Sequence, residues 1–103
     1  MKGGIYMSVI GEKFKTGDIV CTAGVNSLMR EDERFRMFVH ECLVRHMAGD
    51  WGDLYEEDRQ ANERALVEGS RLLSAYKANS LSKIWIITEA DQASTCILFP
   101  DEY

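Results

Sequence analysis

The hydrophobic pattern divides the chain into a helical middle and a strand-rich end. From about Leu28 to Met47, Phe35, Phe38, Val39, Cys42, Leu43 and His46 or Met47 recur at the spacing of one helix face, which predicts a single long amphipathic helix. Its outer side places Asp32 four residues before Arg36 and Glu41 four before Arg45, the favourable order for helical ion pairs. Asn26 or Ser27 offers an N-cap, and Gly49 offers the left-handed residue that ends the helix.

A second helix is expected to open at Asp53, because Asp53-x-x-Glu56 has the capping-box spacing with Asp in place of Ser or Thr, and to stop at Gly69 after Glu68. Its inward stripe of Leu54, Asp58, Ala61 and Ala65 is thin, with Tyr55, Asn62 and Leu66 on the flank. Asp58 and Asn62 then require partners, since a buried unpaired polar group costs about 1 to 3 kcal/mol.

Three β-like runs follow, Arg71 to Lys77, Lys83 to Thr88 and Thr95 to Phe99. The separating segments are short enough for an antiparallel meander and too short for parallel crossovers. Ile84-Trp85-Ile86-Ile87 is apolar on both faces and belongs at the centre of a sheet. Ahead of the helices, Asp18 to Thr22 is short, β-branched and bounded by Gly17 and Gly24, which fits one more strand.

The expected fold class is therefore α+β in the order β-α-α-β-β-β, an antiparallel sheet with two helices packed on one face. Residues 17–103 form the single domain, and residues 1–16 a loosely ordered N-terminal arm. The second face needs the arm, the first strand folded over it, or another copy of the chain, and the last of these makes a homodimer one hypothesis.

At 103 residues, 46% hydrophobic and 28% charged, the chain has the composition of one soluble globular domain. It lacks a secretory signal pattern and any apolar run of membrane-spanning length, and Cys21, Cys42 and Cys96 have no short pair spacing. These features suggest free thiols, a cytoplasmic location and no membrane partner. The net charge of -5 is concentrated in residues 31–69, which alone carry -6, and this field disfavours direct nucleic-acid binding.

No segment announces catalytic, metal or nucleotide chemistry. Cys42 and His46 share a helix face four residues apart, but a metal site would need further ligands from Asp50 or Asp53, and a packed thiol with a helix-end histidine explains them as well. The carboxylates Asp50, Asp53, Glu56, Glu57 and Asp58 do not match a calcium loop and are accounted for by capping and a solvated first turn. Trp51, between Gly49 and Gly52, reads either as a partner hot spot or as a plug at the end of the core, its indole N–H on a backbone carbonyl. Glu89 and Asp91 make an acidic turn after the central strand, a second place for a contact surface. No cofactor is expected.

Gly49-Asp50-Trp51-Gly52-Asp53 with Glu57-Asp58 and Asn62, and the stretch from Ile84 through Asp91 and Leu98 to Tyr103, resemble a family of short bacterial proteins. Gly24-Val25-Asn26 and Arg71 to Tyr76 carry the resemblance further, so that it covers about residues 17–103. Members are labelled plasmid-related or type I restriction enzyme modification subunit. A DNA methyltransferase needs a cofactor-binding domain and an Asn-Pro-Pro-aromatic motif, whereas the single proline here is Pro100, preceded by Phe99. What the resemblance implies is an association with mobile elements.

The sequence thus reads as a non-enzymatic accessory protein that holds a protein partner through Asp50, Trp51, Asp53 and Asp58, with Glu89 and Asp91 as a second contact. One alternative is a small acidic inhibitor of a nucleic-acid-directed defence system, its carboxylates at 31–33 and 50–58 mimicking phosphate. A third is a metal-assisted hydrolase using His46, Asp50 and Asp53.

Overall fold

The computed structural model describes residues 12–103. In order they form strand β1 (Asp18–Cys21), helices α1 (Ala23–Glu31), α2 (Glu33–Met47) and α3 (Glu56–Glu68), strands β2 (Leu72–Tyr76), β3 (Ile84–Thr88) and β4 (Ser94–Leu98), and a closing 3-10 turn (Pro100–Glu102). The class is α+β, with three helices where two were expected.

The extra helix arises at Asp32. Thr22 starts α1 about one turn earlier than the sequence suggested, its hydroxyl accepting from Val25 N–H at 3.2 Å, so Asn26 and Ser27 lie within the helix. Asp32 then adopts an extended conformation, donates its N–H to the Leu28 carbonyl, and accepts from Phe35 N–H at 3.2 Å through its carboxylate. One residue ends α1 and caps α2. The apolar period runs across this break, which is why periodicity alone joins the two helices.

Below α1 and α2 the sheet presents Tyr76, Ile84, Ile86 and Ile97, packed against Val25, Phe35, Phe38, Val39 and Cys42. A smaller cluster joins Phe14, Trp51, Ala65 and Leu72, with Leu54 and Leu66 against it. Gly69, at φ 77°, ends α3 as expected. The face that α3 buries is Asn62 and Ala65, while Asp58 and Ala61 are exposed, so its stripe is rotated from the expected one.

The strand order is β1-β4-β3-β2. The last three strands form the expected antiparallel meander, with Ser74, Ile86 and Ile97 in register across it. The sheet as a whole is mixed, because β1 joins β4 in parallel, Ile19 beside Thr95 and Val20 beside Cys96. Short-loop reasoning covers only strands adjacent in sequence; β1 reaches β4 after all three helices and two strands, and so long a connection allows a parallel pair. β1 is therefore an edge strand and does not fold over the second face.

That second face carries Leu73, Ala75, Trp85, Ile87 and Leu98, by alternation from the register. Tyr103 lies edge-on to Trp85 at 5.6 Å, and the Arg71 guanidinium sits 5.2 Å over the Tyr103 ring. Of the arm expected over residues 1–16, residues 1–11 lie outside the described residues. Phe14 and Thr16 are buried, and Lys13 N–H bonds the Met47 carbonyl at 2.9 Å. Among the described residues no helix is long and apolar enough to cross a membrane.

Candidate functional site

The corner between α2 and α3 is built inward first. Gly49 N–H and Asp50 N–H return to the carbonyls of His46 and Arg45 at 3.0 and 2.8 Å, a glycine-terminated helix end of the Schellman type. Asp50 then pairs with Arg45 through two bonds of 2.8 and 3.3 Å and accepts from Gly52 N–H at 3.2 Å. The Arg45 hydrogen bond holds the Asp50 carboxyl below its ordinary range. Its backbone carbonyl also accepts from the Tyr76 hydroxyl at 2.6 Å.

Trp51 is the plug. It is 2% exposed, stacked on Phe14 and edge-on to His46. Its indole N–H donates at 2.7 Å to the Glu63 carboxylate on α3, where a backbone carbonyl was the expected partner.

Beyond it the corner closes the edge of β2. Ala75 N–H bonds the Trp51 carbonyl at 3.2 Å and the Ala75 carbonyl accepts from Asp53 N–H at 2.6 Å. Asp53 uses its carboxylate on Lys77 N–H at 2.9 Å, so it caps a strand end; the N-cap position of α3 falls to Tyr55, which makes no side-chain cap bond. Gly52 runs alongside Ala75 at φ 76°, and a Cβ there would collide with the Ala75 carbonyl and the Tyr76 ring.

Beside this edge a groove of about 420 Å³ opens between α3 and the second face of the sheet. Leu73, Ala75 and the half-buried Trp85 supply apolar walls, and Asp53, Asp58 and Lys83 bring charge to the lining. Tyr55, 79% exposed, stands at the mouth. Of the six residues singled out from the sequence, the groove gathers Asp53 and Asp58. Trp51 faces into the corner, Asp50 is exposed with its carboxylate paired to Arg45, and Glu89 and Asp91 sit in the exposed β3–β4 turn, where Asp91 accepts from Ala93 N–H at 2.9 Å. Tyr55, Lys83 and Trp85 were missed. Trp85 carried a legible signal, a large aromatic in a strand whose apolar neighbours already fill the opposite face.

Sequence reading also missed a buried polar chain under the helices. The His46 ring meets Ser74 Oγ through Nδ1 at 2.5 Å and Thr88 Oγ1 through Nε2 at 2.9 Å; Thr88 meets Thr95 at 2.7 Å, and Thr95 donates to the Thr16 carbonyl at 2.8 Å. Because that carbonyl only accepts, Thr95 spends its proton there, Thr88 donates to Thr95, and His46 must donate from Nε2. Nδ1 is then the acceptor for Ser74. His46, Ser74, Thr88 and Thr95 have no exposed surface, so the Ser–His contact is a packing device with no opening for a substrate. Burial holds the imidazole down to about 4 from the ordinary 6.5.

The residues of a metal reading are likewise engaged elsewhere: both His46 nitrogens by hydroxyls, Asp50 by Arg45 and Asp53 by Lys77 N–H. Burial pushes the Cys42 thiol up to about 12, away from the thiolate a metal requires. Among the described residues no group of three or more His, Cys, Asp or Glu is placed to hold a metal ion. No protein-family model matches the chain, no curated protein matches it, and no solved structure matches it.

Proposed function

We propose that this chain is a non-enzymatic binding protein that holds a protein partner in the groove between α3 and the sheet. The observation that carries the reading is the pairing of aromatic and apolar walls, Tyr55, Trp85 and Leu73, with the carboxylates of Asp53 and Asp58 in one lining. Such a site suits a basic side chain flanked by apolar residues, since a cation gains from both carboxylate and aromatic face. The acidic first turn of α3, Glu56, Glu57 and Asp58, extends the field that attracts it. The resemblance to plasmid-related proteins supports a role as an accessory of plasmids or integrated elements, and the three free thiols support a reducing, cytoplasmic setting.

Asp58→Arg and Tyr55→Ala alter exposed side chains, so both variants should melt as the native chain does. A partner enriched from host cells by the native protein should be lost by both. If the variants retain the same partner at the same yield, the groove is not where it binds.

A further inference from the structure

The two edges of the sheet are finished differently. On β2, Asn62, Trp51 and Asp53 occupy the outward main-chain groups of Leu73, Ala75 and Lys77. On β1 no comparable cover exists among the described residues. Asp18 and Thr22 donate inward to the Ala93 and Ile97 carbonyls at 3.0 and 3.1 Å, and strand alternation therefore turns the N–H and C=O of Ile19 and Cys21 outward. Ile19 and Val20 are 46% and 49% exposed. On the helix side, a cleft of about 250 Å³ lies between this strand and Met29, His40 and Leu43.

We propose that this edge is a self-association surface, on which β1 of a second copy pairs antiparallel about a two-fold axis at Val20. Hydrogen-bonded pairs in an antiparallel seam need residues whose main-chain groups face it on both strands. Ile19 against the partner's Cys21, and Cys21 against the partner's Ile19, meet that need with four N–H···O bonds. Val20 then faces the partner's Val20 on the opposite side of the sheet.

The same register makes the side chains reciprocal. Ile19 shares the helix face with Thr95, its neighbour in register, so each copy brings an isoleucine to the other's cleft beside Cys21. An unrelated extended peptide would satisfy the edge once, whereas a second copy fills both clefts with one contact. Charges do not oppose it at the seam, where Asp18 is set against the partner's Thr22. With a strand of only four residues, the buried area belongs to the small class below about 1,200 Å², so the dimer is weak and reversible. It lies at the opposite edge from the α3 groove and does not depend on it.

Sedimentation equilibrium of the full chain from about 10 µM to about 1 mM should show a concentration-dependent dimer, with a dissociation constant inside that range. Val20→Lys, on an exposed position, should abolish it without changing the melting curve. Val20→Cys should form a disulfide-linked dimer on mild oxidation, because facing non-hydrogen-bonded residues stand about 4.5 Å apart at Cα, while Asp18→Cys should link no more than the native chain. A chain that stays monomeric over the whole range overturns the proposal, and so does a dimer indifferent to Val20→Lys.

Discussion

Asn62 holds both main-chain groups of Leu73: its Nδ2 donates to the Leu73 carbonyl at 2.7 Å and its Oδ1 accepts from the Leu73 N–H at 3.2 Å. An amide side chain on α3 thereby does what a neighbouring strand would do, and fixes the helix along the β2 edge. Asn62→Ala should cost about 2 to 4 kcal/mol, since two partly buried backbone groups lose their partners together. Urea unfolding measures this, and a loss under about 1 kcal/mol would mean that water replaces the amide.

Acid should weaken the fold through His46. Its folded value of about 4 lies below the ordinary 6.5, so the unfolded chain takes up a proton first and the stabilisation is complete only above pH 6.5. As pH falls from 6.5 toward 4, up to about 3 kcal/mol should be lost. Protonation places a second N–H at Nδ1, against the Ser74 hydroxyl that donates there. Denaturant midpoints between pH 7 and pH 4.5 test this, and an identical loss in His46→Gln would assign the effect to carboxylates.

Two left-handed glycines should respond very differently to alanine. At Gly52 the new methyl meets the Ala75 carbonyl and the Tyr76 ring, so backbone must move and the cost should exceed about 3 kcal/mol. At Gly69 no atom lies within 4 Å of where the methyl would stand, and the cost should be the conformational penalty alone, about 1 to 2 kcal/mol. Comparable losses at both sites would show that the close approach at Gly52 relaxes.

The tryptophans should separate by solvent access. Trp51 is enclosed by Phe14 and His46, whereas Trp85 is half-buried and lines the groove. Acrylamide should quench mainly Trp85, and Trp85→Phe should leave fluorescence largely resistant. A partner seated in the groove should protect Trp85 and leave the Trp51 signal unchanged.

Thiol chemistry should follow burial. Cys42 is fully enclosed under α2 with its thiol pushed up to about 12, while Cys21 and Cys96 are half-buried. Alkylation followed by mass spectrometry should label Cys42 last, at a rate set by unfolding. Labelling of Cys42 ahead of the other two would contradict the packing of the main core.

The candidate site was legible only in part. Asp53 and Asp58 stood out as polar residues after a glycine corner, but nothing local distinguishes a carboxylate that lines a groove from one that, like Asp50, is turned onto Arg45. The N-cap at Asp32 was more accessible: Glu31-Asp32-Glu33 ahead of Phe35 has the composition of a helix start, though unbroken periodicity concealed it.

The amino-acid sequence by itself determined the α+β class, the stripe of α2, the glycine ends of α2 and α3, and the C-terminal meander, because each follows from spacing over a few residues. Only tertiary structure decided that β1 lies parallel to β4, that Asn62 serves as a strand, that His46 organises a chain of hydroxyls, and that Trp85 rather than Trp51 faces the groove. Those features depend on residues brought together from distant parts of the chain, whose proximity has no local signature in its pattern.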